Sequence, residues 1–196
     1  MARPSQLVER RRELLPIVAR TFAELGYRRT TTAELARRCD VQETILYRLW
    51  PDKKAMFIAA IGYVYDLSTE IWRKLLKDHN DGQTPAERLL NYESRHQGEF
   101  GYYRIVFAGL SEADDPDIRA ALVRMYRRFQ RWIEKQIADH RDGTQATTPS
   151  PALAAWAVVG VGTVANILRE LEIVGTNRRQ DLIADVGRYL LDGEIR

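Results

Sequence analysis

The helical periodicity of this chain runs almost from end to end and narrows its possible folds more than any other feature. Leu14, Leu15, Val18, Phe22 and Leu25 recur at three- and four-residue steps, and Ala55, Ile58, Ile61, Tyr65, Leu67, Ile71, Trp72 and Leu75 continue the same rhythm. No segment alternates polar and apolar residues between hairpin turns. The pattern predicts an all-α fold of about nine helices with no sheet.

Punctuation residues divide the pattern. Gly26 stops the first helix, and Pro16 inside it predicts a kink or a late start, since an interior proline costs about 3 kcal/mol. Thr31-Thr32-Ala33-Glu34 reads as a capping box, with a threonine hydroxyl holding an amide three residues on and Glu34 reaching back. It opens a short helix ending at Arg38. Cys39-Asp40-Val41 is a tight break, residues 42–50 form a second short helix closed by Pro51, and Asp52 caps a long third segment reaching residue 78. Residues 79–83 read as a loop. Thr84-Pro85-Ala86-Glu87 and Asp115-Pro116-Asp117 are helix starts, the second opening a helix to residue 140. Residues 141–149 are polar. Further helices are expected over 151–174 and 181–191.

Charge is unevenly placed. The chain carries 30 Lys and Arg against 27 Asp and Glu. Residues 1–54 hold twelve basic and seven acidic side chains, net +5, and the other 142 residues are net −2. A basic first quarter points to a polyanion at the N-terminal end. One cysteine, Cys39, excludes an internal disulfide framework and a multi-cysteine zinc site. The opening MARPSQLVERRRELL has no apolar stretch of signal-peptide length. The apolar run 152–168, 17 residues broken by Thr163 and Asn166, falls short of the ~20 that a membrane span needs. A cytoplasmic protein with no membrane partner is the expectation.

Two short helices around a three-residue break, in a basic region behind a longer helix, have helix-turn-helix spacing. A helix that reads DNA enters the major groove end-on, braced by the helix before it. Leu35, Ala36, Val41, Ile45 and Leu46 suit the bracing, which leaves Gln42, Glu43, Thr44, Tyr47 and Arg48 to hydrogen-bond base edges or phosphates. The blander reading also stays open for single residues: Tyr47 and Trp50 as core, Thr31 as a cap, the arginines as a solvated face.

Over residues 14–57 the chain resembles the tetracycline-repressor family of bacterial transcription regulators. Leu14-Leu15 with Phe22-Ala23-Glu24-Leu25-Gly26-Tyr27 resembles the family's first helix and its Gly-aromatic end. Thr31-Thr32-Ala33-Glu34-Leu35-Ala36 resembles its threonine-capped second helix. Val41, Leu46-Tyr47 and Trp50-Pro51-Asp52-Lys53-Lys54-Ala55-Met56 resemble its recognition helix and the lysine opening helix four. Cys39 and Asp40 stand where the family usually has a small residue and glycine, and Gln42, Thr44 and Ile45 replace its common serine, glycine and threonine. The resemblance implies phosphate contacts at Thr32, Tyr47 and Lys53. It also implies base or flanking phosphate contacts at Gln42, Glu43, Thr44 and Arg48, and steering charges at Arg28 and Arg29. It implies dimerisation through the last two helices as a four-helix bundle.

Other constellations compete. Val158-Val159-Gly160-Val161-Gly162-Thr163-Val164-Ala165 fits the dinucleotide fingerprint, but helix-favouring residues precede it and no second strand follows to carry an acid. Packing accounts for the same segment. Leu153, Ala157, Gly160, Val164, Ile167 and Leu171 form one stripe, and with Val186 and Leu190 of the last helix they are the expected dimer interface. His79, His96 and His140 lie far apart, so no metal, cofactor or catalytic set is expected and the chain reads as a non-enzyme. Trp72, Tyr103, Phe107 and Trp132, with His96 and Asn166 as polar anchors, are candidates for an effector pocket, and a plain core accounts for them too.

The expectation is a ligand-responsive transcriptional regulator: residues 1–54 a DNA-binding head, residues 55–196 a helical effector-binding and dimerisation domain. It would repress as a homodimer on a palindromic double-stranded operator and be released by a small apolar or aromatic effector. The alternative is an all-α scaffold or enzyme that the head only tethers.

Overall fold

The computed structural model describes residues 4–77, 82–144 and 146–195. Their order is α1 (Pro4–Arg29), α2 (Thr32–Arg38), α3 (Glu43–Leu49), α4 (Lys53–Leu75), α5 (Pro85–His96), α6 (Tyr103–Ser111), α7 (Pro116–Arg141), β1 (Ala146–Thr148), α8 (Pro151–Glu170), α9 (Thr176–Asp192) and β2 (Glu194–Ile195). The fold is all-α, as the periodicity implies. One expectation is corrected: the polar connection after α7 pairs antiparallel with the residues after α9, as a two-stranded ladder of β1 and β2.

The start signals act as read, with local differences. Asp52 Oδ1 accepts from the Ala55 amide at 2.7 Å to open α4, Thr84 and Glu87 close a full capping box on α5, and Asp115 accepts from the amides of Asp117 and Ile118. Pro16 sits in regular helix, and the break comes at Gly26, whose φ of 73° is open to a residue without a Cβ. The helix expected over 151–174 ends at Glu170, and the last helix starts at Thr176, five residues early. Of the loop expected at 79–83, the part through residue 81, with His79, lies outside the described residues.

The chain forms two compact units, one of residues up to Leu67 with Gly101–Met125, the other of Ser68–Phe100 with residues from Tyr126 on. The unit that holds the head therefore extends past residue 54. Its core is an apolar stripe of α1 (Leu14, Val18, Phe22) against Met56, Phe57 and Ile61 of α4 and Ile105 and Val106 of α6. Phe22, Tyr27 and Phe57 meet ring to ring, with centroids 4.8–6.3 Å apart. Gly109 lets α6 lie against Leu122 and Ile61, where an added Cβ would come within 3.1 Å of Leu122.

The second unit packs α5 and α8 on α9. Ala86, Ile137, Ala154, Ala155 and Leu191 form its buried cluster, flanked by Leu90, Ile133 and Val158. Gly187 faces Leu90 so closely that a Cβ there would overlap it. At 20 residues and a mean hydropathy of 1.7 over its apolar window, α8 is long and apolar enough to cross a membrane, against the shorter reading from sequence. Only 22% of that window is buried in the chain.

Candidate functional site

The helix-turn-helix is built by a few buried side chains. Leu35 of α2 and Leu46 of α3 are fully buried, with Ala36, Leu49 and Trp50 beside them, while Val41 and Ile45 are half-buried. The turn closes through the Val41 amide, which donates to the Ala36 carbonyl at 3.0 Å. Asp40 takes the left-handed conformation, φ 51°, that the turn requires, and a short polar side chain tolerates it. Cys39 is buried there, and burial pushes its thiol pKa up, so it packs as a small apolar side chain.

The outer face of α3 presents Gln42, Thr44, Tyr47 and Arg48 to solvent, with Glu43 and Thr32 half-buried. Gln42 is the N-cap residue of α3 yet makes no capping hydrogen bond. Tyr47, 48% exposed, donates its hydroxyl to Thr32 Oγ1 at 3.3 Å, which brings together two side chains 15 positions apart. Arg48 makes no ion pair among the described residues. Gln42, Thr44, Tyr47 and Arg48 therefore combine exposure with groups that suit base edges and phosphates.

Other expected contacts are tied inward. The Lys53 ammonium donates to the carbonyls of Tyr27 and Thr30, both at 3.2 Å, and lies 4.5 Å from the Tyr27 ring centre. Two of its three donors thus hold the end of α1 to the start of α4. Arg28 pairs with Glu112 at 2.7 Å, and Lys54 pairs with Asp115 and Asp117. Two of the twelve basic side chains counted in the head, Arg28 and Lys54, are thereby paired with acids from outside residues 1–54 in their own unit.

Sequence reading missed the arginine pair at the end of α2. Thr31 Oγ1 accepts from the Glu34 amide at 3.1 Å, as a cap should. Glu34 does not reach back; its carboxylate accepts from Arg37 Nε and Nη2 at 2.8 Å and from Arg38 Nε at 2.7 Å. Arg38 also pairs with Glu24 of α1. The hydrogen bonds from Arg37, then Arg38, hold the Glu34 carboxyl at about 2, against an ordinary 4.5. A carboxyl depressed in the folded state stabilises fully above its ordinary value and loses that contribution as pH falls through the depressed one. Acid titration followed by circular dichroism is therefore expected to destabilise the chain between pH 4.5 and 2. Glu34→Gln should show a smaller drop across that window, and an identical profile would mean the staple contributes nothing.

The expected effector residues fall in different places. Tyr103 and Phe107 pack edge to face in the first unit, 5.6 Å apart. Trp72, His96, Trp132 and Asn166 belong to the second. Trp72 stacks on Trp132 at 4.5 Å and meets Phe129 at 5.7 Å. His96 stacks on Tyr92 and shares its Nδ1 with Glu99 at 2.8 Å. Asn166 is 8% exposed, and its Oδ1 has no donor. Glu93, which the sequence offers as one more acid on an amphipathic helix, accepts from Trp72 Nε1 at 2.6 Å. Among the described residues no group of three His, Cys, Asp or Glu is placed to hold a metal ion.

The dinucleotide-like glycines lie inside α8 with no strand before them. On the expected dimer stripe Leu153, Gly160, Val164, Ile167 and Leu171 are exposed and Ala157 is half-buried, while Trp156, Ile173 and Tyr189 add apolar surface that the sequence reading left out. The assignment of Leu190 to that surface is corrected: it is buried in its own unit, and Val186 is half-buried. On α9 the outward neighbour is Tyr189.

Residues 19–60 match the family described as bacterial regulatory proteins, tetR family. The nucleoid occlusion factor SlmA of Photobacterium profundum is 39% identical over 83 residues, 41% of this chain and 42% of that protein. The uncharacterized HTH-type transcriptional regulator YuxN of Bacillus subtilis is 25% identical over 77 residues, 39% of this chain. The chain spans only a quarter of that relative's length, 25%. Across the whole chain, the tetR-family transcriptional regulator of Cytophaga hutchinsonii superposes with a TM-score of 0.78 at 16% identity, covering 100% of both chains. AibR, solved with isovaleryl coenzyme A and operator DNA, superposes at 0.63 with 18% identity, over 91% of this chain and 97% of that one. Residues 19–60 thus carry the sequence of the bacterial regulatory proteins of the tetR family on a braced helix-turn-helix, and the chain as a whole has the fold of these solved regulators.

Proposed function

We propose that this chain is a transcriptional regulator of the tetR family, a cytoplasmic repressor that binds a palindromic operator as a homodimer and is released by a small molecule. The exposed end of α3, with Tyr47 and Arg48 standing on a helix braced by Leu35 and Leu46, is the observation that carries the reading. Two such heads, one per protomer, reach successive major grooves. In this reading residues 1–54 read DNA and the remainder holds effector and partner. That AibR was solved with both a small molecule and its operator supports a ligand response here. Coupling between an effector and DNA is typically worth about 1–3 kcal/mol.

The test is salt-dependent binding to DNA from upstream of the chain's own gene. Arg48→Ala, which leaves the buried side of α3 untouched, is expected to weaken binding about tenfold and reduce the salt slope by about one. Tyr47→Phe removes a single hydroxyl and should weaken binding less, with the fold preserved. Unchanged affinity and salt slope in both variants would mean that α3 does not meet DNA.

A further inference from the structure

Glu93 stands on α5 one turn before that helix ends, beside aromatic side chains of α4 and α7. Trp72 of α4 donates its indole N–H to Glu93 Oε1 at 2.6 Å. Trp132 of α7 stacks on Trp72 at 4.5 Å with 30° between the planes, and Phe129 meets Trp72 edge-on at 5.7 Å. Trp72 is buried, whereas Glu93, Phe129 and Trp132 are partly exposed. The buried indole is a floor, and the carboxylate and outer rings stay within reach of a ligand.

The carboxylate makes no ion pair. Among the described residues no cationic side chain pairs with it, and His96, one turn on, gives its Nδ1 to Glu99. Burial pushes the Glu93 carboxyl above its ordinary value, and the bond from Trp72 and the nearby His96 only partly oppose this. A desolvated acid with one hydrogen bond weakens a fold that glutamine would serve as well, so its presence calls for a role other than stability. Electron-rich ring faces beside such an acid attract a weakly hydrated cation through the ring quadrupole and through Coulomb attraction in a medium poorer in water. One carboxylate among indoles is a poor site for a metal ion, which needs several oxygen ligands.

We propose that Glu93, Trp72 and Trp132 form the binding site for an organic ammonium ion bearing apolar or aromatic substituents. The proposal rests on the effector-responsive reading above and narrows that effector from an apolar or aromatic molecule to a cation of this kind. Asn166, more than nine-tenths buried on α8 with an acceptor oxygen lacking a donor, adds a polar group to the same unit.

The experiment uses the full chain, tryptophan fluorescence and calorimetry, with benzyltrimethylammonium and its uncharged carbon isostere neopentylbenzene as probes. The cation is expected to bind at least about tenfold more tightly than the isostere and to quench the tryptophans. Glu93→Gln should bring the cation's affinity down to that of the isostere without changing the isostere's own. Trp132→Phe, which keeps an aromatic ring, should weaken the cation several-fold, and it carries the test if Glu93→Gln does not fold. Equal affinity for the two probes, full cation affinity in Glu93→Gln, or no cation binding at millimolar concentration would each overturn the proposal. DNA release separates the two readings. Release by the isostere alone keeps the regulator and removes the ammonium site; cation binding that leaves DNA bound keeps the site and removes its effector role.

Discussion

Replacing Arg141 by methionine is expected to destabilise the chain by about 3–5 kcal/mol and lower its melting temperature by about 10 °C. The side chain is 6% exposed, and its guanidinium is a three-way clamp. Nε donates to the Leu191 carbonyl at 2.9 Å, Nη2 to the Leu190 carbonyl at 2.7 Å and Nη1 to the Pro149 carbonyl at 2.6 Å. Leu190 and Leu191 lie in the last turn of α9, where carbonyls have no amide left to accept from and where a positive charge meets the helix dipole favourably. Burial lowers the guanidinium pKa and nearby Asp192 opposes this, but an arginine stays charged throughout the working range. Methionine keeps the stem's volume and strands three acceptors, two of them buried. Arg141→Lys keeps the charge but not the planar fork, so it should recover only part of the loss. Thermal melts by circular dichroism decide the matter: a shift under about 2 °C for Arg141→Met would show that the end of α9 is held by something else.

Gly160→Leu is expected to leave each chain folded and to separate the proposed dimer. A Cβ at Gly160 would have nothing within 4 Å, so within one chain the leucine extends into open space. It emerges amid Leu153, Val164, Ile167 and Leu171, all between 38% and 64% exposed on the same helix. A soluble chain seldom leaves such a stripe uncovered. Overpacking typically costs about 1–3 kcal/mol, and two-fold symmetry makes the change twice, so the dimer should weaken by a factor of about 30 or more. Operator affinity should fall with it, because a lone head loses its second half-site. Sedimentation at micromolar concentration with an unaltered melting temperature is the expected signature. A dimer unperturbed by this change, with normal DNA binding, places the interface elsewhere; a monomeric parent chain removes it altogether.

Much of this architecture is legible without coordinates because its determinants are local. Thr84 with Glu87, Asp52 and Asp115 each satisfy amides within three residues, so the starts of α5, α4 and α7 follow from short strings. The outward face of α3 follows equally from spacing, since Leu46 and Leu49 fix which side is buried. The two units do not follow from the chain order, because Gly101–Met125 joins the head's unit from far along the sequence. Glu34 shows how a local rule loses to neighbours: the back-reach to the cap was available, but two arginines one turn on offered charged donors.

What the amino-acid sequence determined by itself was the helical class, the helix-turn-helix and the apolar stripe of α8, since each depends on periodicity and on residues within one or two turns. What only the tertiary structure decided was which side chains are spoken for. Lys53 reads as a phosphate contact but spends its ammonium on the carbonyls of Tyr27 and Thr30. Leu190 reads as interface but is buried, while its neighbour Tyr189 faces out. Gly160 and Gly162 stand two positions apart in one motif, yet the first opens outward and the second meets Gln97. The same holds for Glu93, an ordinary acid of α5 until Trp72 is brought against it from 21 positions away. In each case the partner is distant in the chain, and a hydrogen bond or a packing contact depends on separation in space, which periodicity does not encode.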